Sequence, residues 1–212
     1  MNLEFEKIKI RIKRNNEELN EAIVQELITA HALLQTQYIK DYERYKTESL
    51  PIKNREFEDD TKINNKLNND FVGEIIDQVV GYLFGTPINY NLNKTKYGED
   101  IKRYEKDYDL IDRFTVLNQI KDIDAETGKR QAINGITYRL CYIDKEKQER
   151  IKHLPPEEVI LLGDIDEPDY AIWYYPAIDD EGNEVIRIEF YRDDKTLIYN
   201  YCNGTLIFKE EY

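Results

Sequence analysis

The sequence predicts an α+β fold in which long helices come first and an antiparallel β meander follows. Upstream of Gly135 the apolar residues recur at helical spacing, whereas downstream of it they alternate with polar residues in short runs. Good turn sequences separate those runs, and Asn203–Gly204 is the strongest hairpin signal among them. Helices followed by strands in this order are typical of α+β proteins.

The first third of the chain predicts helices joined by a loop. Residues 1–14 alternate loosely between polar and apolar side chains, which favours an edge strand or a mobile arm. Asn15–Asn16 can cap a long helix over residues 17–45, because apolar residues recur along one side of it. A charged loop over residues 49–60 is expected to follow.

A second amphipathic helix is predicted over residues 61–85. Thr61 or the Asn64–Asn65 pair can cap its start, and Gly85 followed by a proline is a usual helix stop. Glycines inside a helix cost ~1 kcal/mol relative to alanine, so Gly73 and Gly81 are expected where another helix or a neighbouring subunit comes close. The apolar face repeats every four residues through Ile63, Leu67, Phe71, Ile75, Val79 and Leu83.

The spacing of apolar residues also predicts the remaining helices and strands. Residues 88–92 alternate as a short strand would, and helices are predicted over residues 97–118 and 122–133, the second weakened at Gly128. A soft boundary is expected near residues 118–124. Strands are predicted from Ile136 to Tyr142 and over residues 159–162, 171–178, 185–191, 197–201 and 205–209.

Composition and charge narrow the functional classes. With 212 residues, 41% of them hydrophobic and 34% charged, the chain is expected to be globular, with one or two domains. The net charge is −13, and residues 144–212 carry most of it with 18 acidic and 8 basic side chains. Such a surface repels phosphates, which argues against a sequence-specific DNA-binding module.

The cysteines and the apolar runs of the sequence indicate neither a metal site nor a membrane segment. Cys141 and Cys202 lack metal-ligand spacing, which favours a reducing environment. No apolar run approaches the ~20 residues that span a bilayer, and the first residues do not form a signal peptide. A soluble protein without a membrane partner is expected.

Catalytic motifs are weak in this sequence. His31 and His153 are the only histidines, and His31 is predicted to be a structural residue of a helix. No phosphate-binding glycine loop and no Ser-His-Asp pattern is readable, so no enzyme activity and no cofactor are expected. The Trp173–Tyr175 run places aromatic rings on both faces of a strand, and an exposed pair there would indicate a protein–protein surface.

An acidic cluster supports an alternative function, that of a metal-dependent enzyme. Carboxylates at this density can hold Mg²⁺ or Ca²⁺, and a metal-dependent nuclease would use Asp164, Asp166 and Asp169. The cluster lacks the glycine and the distal glutamate of a calcium-binding loop, and a solvated loop between strands is favoured. A soluble interaction module is the milder alternative.

The order of residues along the second helix resembles the portal proteins of tailed bacteriophages, of the type that includes the SPP1 portal. The match begins at Asn64 and Asn65 and continues through Asp77, Gly81, Tyr82, Gly85 and Pro87. Three downstream segments keep the family's order: residues 133–144 with Gly135, residues 154–160, and residues 170–175.

The resemblance implies the wing portion of a portal protein, with residues 1–118 as its helical part and residues 119–212 as a helix plus its β part. The stem, clip and crown of the family are expected to be absent from this chain. The signature residues are expected to be architectural rather than catalytic, and none of them is expected to bind a metal.

The resemblance also implies partners and a location. The family forms a dodecameric ring at one capsid vertex of the virion, assembled in the host cytoplasm. DNA is packaged and ejected through that ring, and the terminase, the head–tail connector and capsid or scaffold proteins dock to it. This chain alone is expected to form a weak ring or none.

Overall fold

The computed structural model describes residues 3–48, 50–56, 65–67, 69–90, 101–164 and 167–212, with the backbone alone at 101–103. They form two compact units, residues 1–39 with 155–212 and residues 40–154. The division at residues 118 and 119 does not coincide with these units, and as a division of a wing it stays a prediction. Within the described ranges, no helix combines the length and the apolar character needed to cross a membrane.

The helices precede the strands, which confirms the predicted α+β class. The helices are α1 (Leu3–Arg14), α2 (Glu21–Tyr45), α3 (Phe71–Phe84), α4 (Ile101–Leu117) and α5 (Ile120–Asn134). The strands are β1 (Tyr138–Ile143), β2 (Glu149–Leu154), β3 (Val159–Gly163), β4 (Pro168–Ile178), β5 (Glu184–Tyr191), β6 (Thr196–Cys202) and β7 (Thr205–Glu211).

The first unit packs α1 and most of α2 on one face of a five-stranded antiparallel meander. The strand order is β3-β4-β5-β6-β7, so each strand pairs with its neighbour in sequence. Because side chains alternate along a strand, Tyr170, Ile172 and Tyr174 of β4 all enter the core. Phe190 on the central strand β5 is fully buried there.

Helix α1 corrects the prediction for residues 1–14, which was an edge strand or a mobile arm. Ile8 and Ile12 lie one helical turn apart and are buried against the sheet, whereas Ile10 between them is 47% exposed. A strand would have placed all three on one face. Packing of the two buried isoleucines on the meander decides the helix, since α1 contacts β3.

The turn between α1 and α2 corrects the start of the helix predicted over residues 17–45. Asn16 and Glu17 have φ angles of 55° and 57°, which is left-handed backbone and incompatible with a helix beginning there. The cap is Asn20 instead, whose Oδ1 accepts a hydrogen bond from the backbone N–H of Ile23 at 2.9 Å. The helix therefore begins at Glu21.

The second unit contains α3, α4, α5, the β1–β2 hairpin and the last residues of α2 from Lys40 onward. Helix α3 contacts α5, and α5 contacts β2. Strand β2 was not predicted, because its sequence ERIKHL alternates poorly. Residues 88–90 form no strand, which corrects that prediction, and residues 91–92 lie outside the described ranges.

The structure also corrects the start of the helix predicted over residues 61–85. It begins at Phe71 rather than at residue 61, because Asp70 caps it and accepts a hydrogen bond from Gly73 N–H at 2.9 Å. Residues 65–67 and 69 are not helical, and residues 61–64 and 68 lie outside the described part of the chain. Asparagine side chains compete with the helical backbone for hydrogen bonds, which disfavours a helix through this run.

Candidate functional site

Helix α3 carries three of the predicted signature residues, Asp77, Gly81 and Tyr82, and exposes an apolar face. Its inner face, against α5, consists of Gly73, Ile76, Val80 and Phe84. Beside it lies a second apolar face, the exposed stripe of α3, formed by Phe71, Val72, Ile75, Val79, Tyr82 and Leu83. Successive residues advance by about 100°, so these six side chains share about a third of the circumference.

The exposed stripe of α3 is open along its whole length. Phe71 is 66% exposed, Ile75 63% and Tyr82 90%. Contiguous exposed apolar patches usually mark surfaces where proteins associate. The stripe is therefore the strongest candidate in this unit for an assembly surface.

Asp77 is an architectural residue of the second unit. Its Oδ1 accepts a hydrogen bond from the Tyr45 hydroxyl at 2.8 Å, and burial together with Asp77 raises the pKa of Tyr45 to about 12. Tyr42 stacks on Tyr45, and the Arg130 guanidinium lies 3.7 Å from the centre of the Tyr42 ring. This cluster connects the end of α2 with α3 and α5.

The remaining signature residues that the structure describes end helices or lie at or near the surface. Gly135 follows α5 with φ at +76°, a left-handed helix end that favours glycine. Gly85 ends α3 in right-handed backbone, and its N–H donates to the carbonyl oxygen of Gly81 at 2.9 Å. Pro87 is half-buried, Asn65 is exposed, and Asn64 lies outside the described residues.

The close approach on α3 involves Phe84 and a glycine that the sequence had marked only as a weak point. A Cβ atom built on Gly128 of α5 would lie 2.8 Å from Cδ2 of Phe84, so the aromatic ring occupies the space that a side chain would need. Gly81, where close packing was expected, has no described atom within 4 Å of its position for a Cβ. Sequence spacing could not reveal this contact, since the two residues are far apart in the chain.

The same substitution is therefore expected to have opposite effects at these two glycines. Gly128→Ala forces Phe84 out of its place at a cost of about 1–3 kcal/mol, which outweighs the gain in helix propensity. Gly81→Ala meets open space and is expected to raise the free energy of unfolding by about 0.5–1 kcal/mol. Urea denaturation followed by circular dichroism measures both.

A double variant identifies the cause of the Gly128 effect. In a Phe84→Ala background the ring is gone, so Gly128→Ala should no longer destabilise the chain. If Gly128→Ala costs the same stability with and without Phe84, the packing explanation is wrong.

The acidic cluster proposed as a metal site is partly occupied by lysines. Lys13 Nζ lies 2.7 Å from Asp169 Oδ1 and Lys9 Nζ 3.1 Å from Oδ2, and these two bonds lower the pKa of Asp169. Asp164 is exposed, and Asp166 lies outside the described residues. No group of three metal-ligating side chains occurs in the described ranges, and a cation at Asp169 would have to displace both lysines.

The histidines have structural partners. His31 is buried in the first unit with its Nδ1 2.8 Å from the Tyr174 hydroxyl, and burial lowers its pKa to about 4. It is therefore neutral at neutral pH and held in the core. His153, in the second unit, places Nε2 2.8 Å from Thr137 Oγ1.

The aromatic run of β4 is packed on both faces. Tyr174 enters the helix-covered core, and Trp173 on the opposite face is only 7% exposed. Its indole N–H donates to Glu158 Oε2 at 2.9 Å, and its ring lies 4.2 Å from that of Tyr175. The structure thus gives no exposed aromatic pair on this strand.

Comparison with known proteins identifies one family. A family model described as "Phage portal protein, SPP1 Gp6-like" matches residues 24–210, from within α2 to within β7. No curated protein matches the chain. The match covers α3 with its exposed stripe and all of the meander except Glu211, the last residue of β7.

Proposed function

This chain belongs to the SPP1 Gp6-like family of phage portal proteins, and we propose that it supplies the wing region of a portal ring at the capsid vertex. The role is structural: the protein holds a shape through which DNA is packaged and ejected. The terminase motor supplies the energy for packaging, and the head–tail connector and capsid or scaffold proteins dock to the assembled ring. The ring of the full-length protein is dodecameric in this proposal.

The observation that carries the proposal is the exposed stripe of α3. A ring-forming subunit needs an apolar surface that its own fold leaves uncovered, and interfaces concentrate such surface at their centre. Helix α3, which carries part of the family signature, exposes six apolar side chains. We propose that a neighbouring subunit covers this stripe.

Charge supports the passage of DNA without specific binding. The net charge of −13 opposes retention of phosphates, since tight phosphate binding requires clustered lysine and arginine. DNA must slide past the wall of the ring, so that wall should not bind phosphates tightly. The proposal therefore includes no sequence-specific DNA contact by these residues.

Sedimentation of the purified chain tests the stripe. Weak, concentration-dependent association is expected, short of a stable ring, and Ile75→Asp should abolish it because a carboxylate would be buried in the contact. Asn89→Asp introduces the same side chain at an exposed position outside α3 and should leave association unchanged. Equal behaviour of the two variants would contradict the proposed contact.

Activity assays separate the structural role from the nuclease alternative. Purified protein is expected neither to hydrolyse ATP nor to cleave DNA when Mg²⁺ is added. Cleavage that disappears in Asp169→Asn, while Asp180→Asn retains it, would overturn the structural assignment. Nothing in the geometry favours that alternative, because Asp169 is bonded to Lys9 and Lys13.

A further inference from the structure

The first unit contains a groove at the free edge of its sheet that the proposed portal function does not use. It lies between strands β6 and β7 and the turn before α2, with a volume of about 480 Å³. We call it the β7 groove. Its floor includes Leu197, Tyr199 and Phe208, and its rim carries Glu18, Glu21 and Glu211.

The charge of the β7 groove has one sign. Three of its lining residues are acidic and none is basic. Glu211 pairs with Lys195 at 3.2 Å, whereas neither Glu18 nor Glu21 has an ion pair with a lysine or arginine of the described chain. A ligand that fills this groove must therefore offer positive charge above an apolar body.

The edge of the sheet gives the shape of that ligand. Strand β7 pairs with β6 on one side and is the last strand of the sheet within the described residues. Cys202 and Thr205 flank the two-residue turn as a hydrogen-bonded pair. Because such pairs alternate with non-hydrogen-bonded ones, the backbone N–H and C=O groups of the next residue, Leu206, point away from β6. Phe208, two residues further, is 54% exposed beside it.

Glu21 occupies the hydrogen-bonding position that an added strand would take. Its Oε1 accepts from the backbone N–H of Leu206 at 3.4 Å, which is long for such a bond and therefore weak. A carbonyl group of an incoming strand can replace this carboxylate at Leu206. The released Glu21 then faces the incoming side chains and can pair with a lysine or arginine.

We propose that the β7 groove binds an extended segment of a partner protein in which every second residue faces the groove, and in which these facing residues are apolar and basic in turn. The segment lies along β7 from Thr205 to Phe208, and the register shift at Ile198/Tyr199 limits the pairing beyond that point. Its apolar side chains contact Tyr199 and Phe208 on the floor. Its basic side chains meet Glu18 and Glu21 on the rim.

Titration calorimetry with a short peptide that repeats valine-threonine-lysine-threonine tests the proposal, because its valines and lysines then alternate along the one face that meets the groove. Saturable binding to the purified chain is expected, and it should weaken by about five-fold in the double variant Glu18→Gln/Glu21→Gln, because two ion pairs are lost. The control Glu105→Gln/Asp109→Asn removes the same charge at exposed positions of α4 in the other unit and should leave binding unchanged. A peptide with its lysines and valines in separate blocks should bind far less.

Hydrogen exchange on the wild-type chain gives a readout that needs no variant. The amides of Leu206 and Phe208 should exchange more slowly when the alternating peptide is bound, because its backbone pairs with β7. Absence of saturable binding, equal weakening by both double variants, or binding without protection of β7 would each overturn the proposal. None of these results would bear on the exposed stripe of α3, so this test is independent of the ring.

Discussion

Ile12→Ala is expected to lower the free energy of unfolding by about 2–5 kcal/mol, the range for a large aliphatic side chain removed from a packed core. Ile12 has no exposed surface and lies in the core cluster between α1, α2 and the sheet. The cavity left by the lost atoms cannot fill easily, because the meander side of the core is held by five paired strands. Urea denaturation followed by circular dichroism measures the change.

Two matched variants in the same helix distinguish a helix from a strand at residues 3–14. Ile8→Ala should be nearly as damaging as Ile12→Ala, whereas Ile10→Ala should change stability by no more than about 0.5 kcal/mol, because Ile10 is 47% exposed. In a strand the three isoleucines would share one face and respond alike. Equal losses at all three positions would therefore restore the edge strand that the alternation predicts.

The N-terminal segment shows why sequence pattern alone was insufficient there. In residues 7–14, KIKIRIKR, the isoleucines satisfy the two-residue period of a strand, and Ile8 and Ile12 also satisfy the four-residue spacing of a helix. Only the docking of those two side chains on the meander selects between the periods. That docking depends on residues more than a hundred positions away, which local pattern does not contain.

The meander was predictable because each of its strands is bounded by its own turn chemistry. Asn203–Gly204 and Gly182 adopt positive φ where a tight turn requires it, and the predicted strands agree with β3 to β7 within a few residues. Helix ends were harder. Asp70 rather than an asparagine upstream caps α3, and both residue types have similar capping preference, so sequence could not rank them.

The candidate assembly surface was half predictable. The four-residue repeat of apolar side chains on α3 was visible in the sequence, and its resemblance to portal proteins is confirmed by the family match. Which part of that broad apolar face is buried depends on the contact of Phe84 with Gly128 on α5. Packing of Phe84 against Gly128 fixes which side of the helix faces α5, and the exposed stripe is the apolar part that stays uncovered. The local sequence pattern does not contain this information.

Asn118→Leu is expected to cost about 2–4 kcal/mol of stability in the second unit, because buried polar groups would lose their partners without gaining water. Asn118 is 7% exposed and follows the end of α4. Its Nδ2 donates to the carbonyl oxygens of Phe114 and Glu149 at 2.9 and 3.0 Å, and its Oδ1 accepts from Ile151 N–H at 3.1 Å. One side chain thus joins the end of a helix to β2, and leucine has a similar size but none of these hydrogen bonds.

The site of the damage distinguishes this effect from a general loss of packing. The Ile151 amide should exchange with solvent markedly faster in Asn118→Leu, because its acceptor is removed, while amides of β5 in the other unit keep their protection. Asn89→Leu makes the same replacement at an exposed position and should change stability by no more than about 0.5 kcal/mol. If Asn118→Leu proves as neutral as Asn89→Leu, Asn118 does not anchor β2 to the helices, and other contacts must hold the hairpin, such as the bond of Arg139 to Asp124 at 2.7 Å.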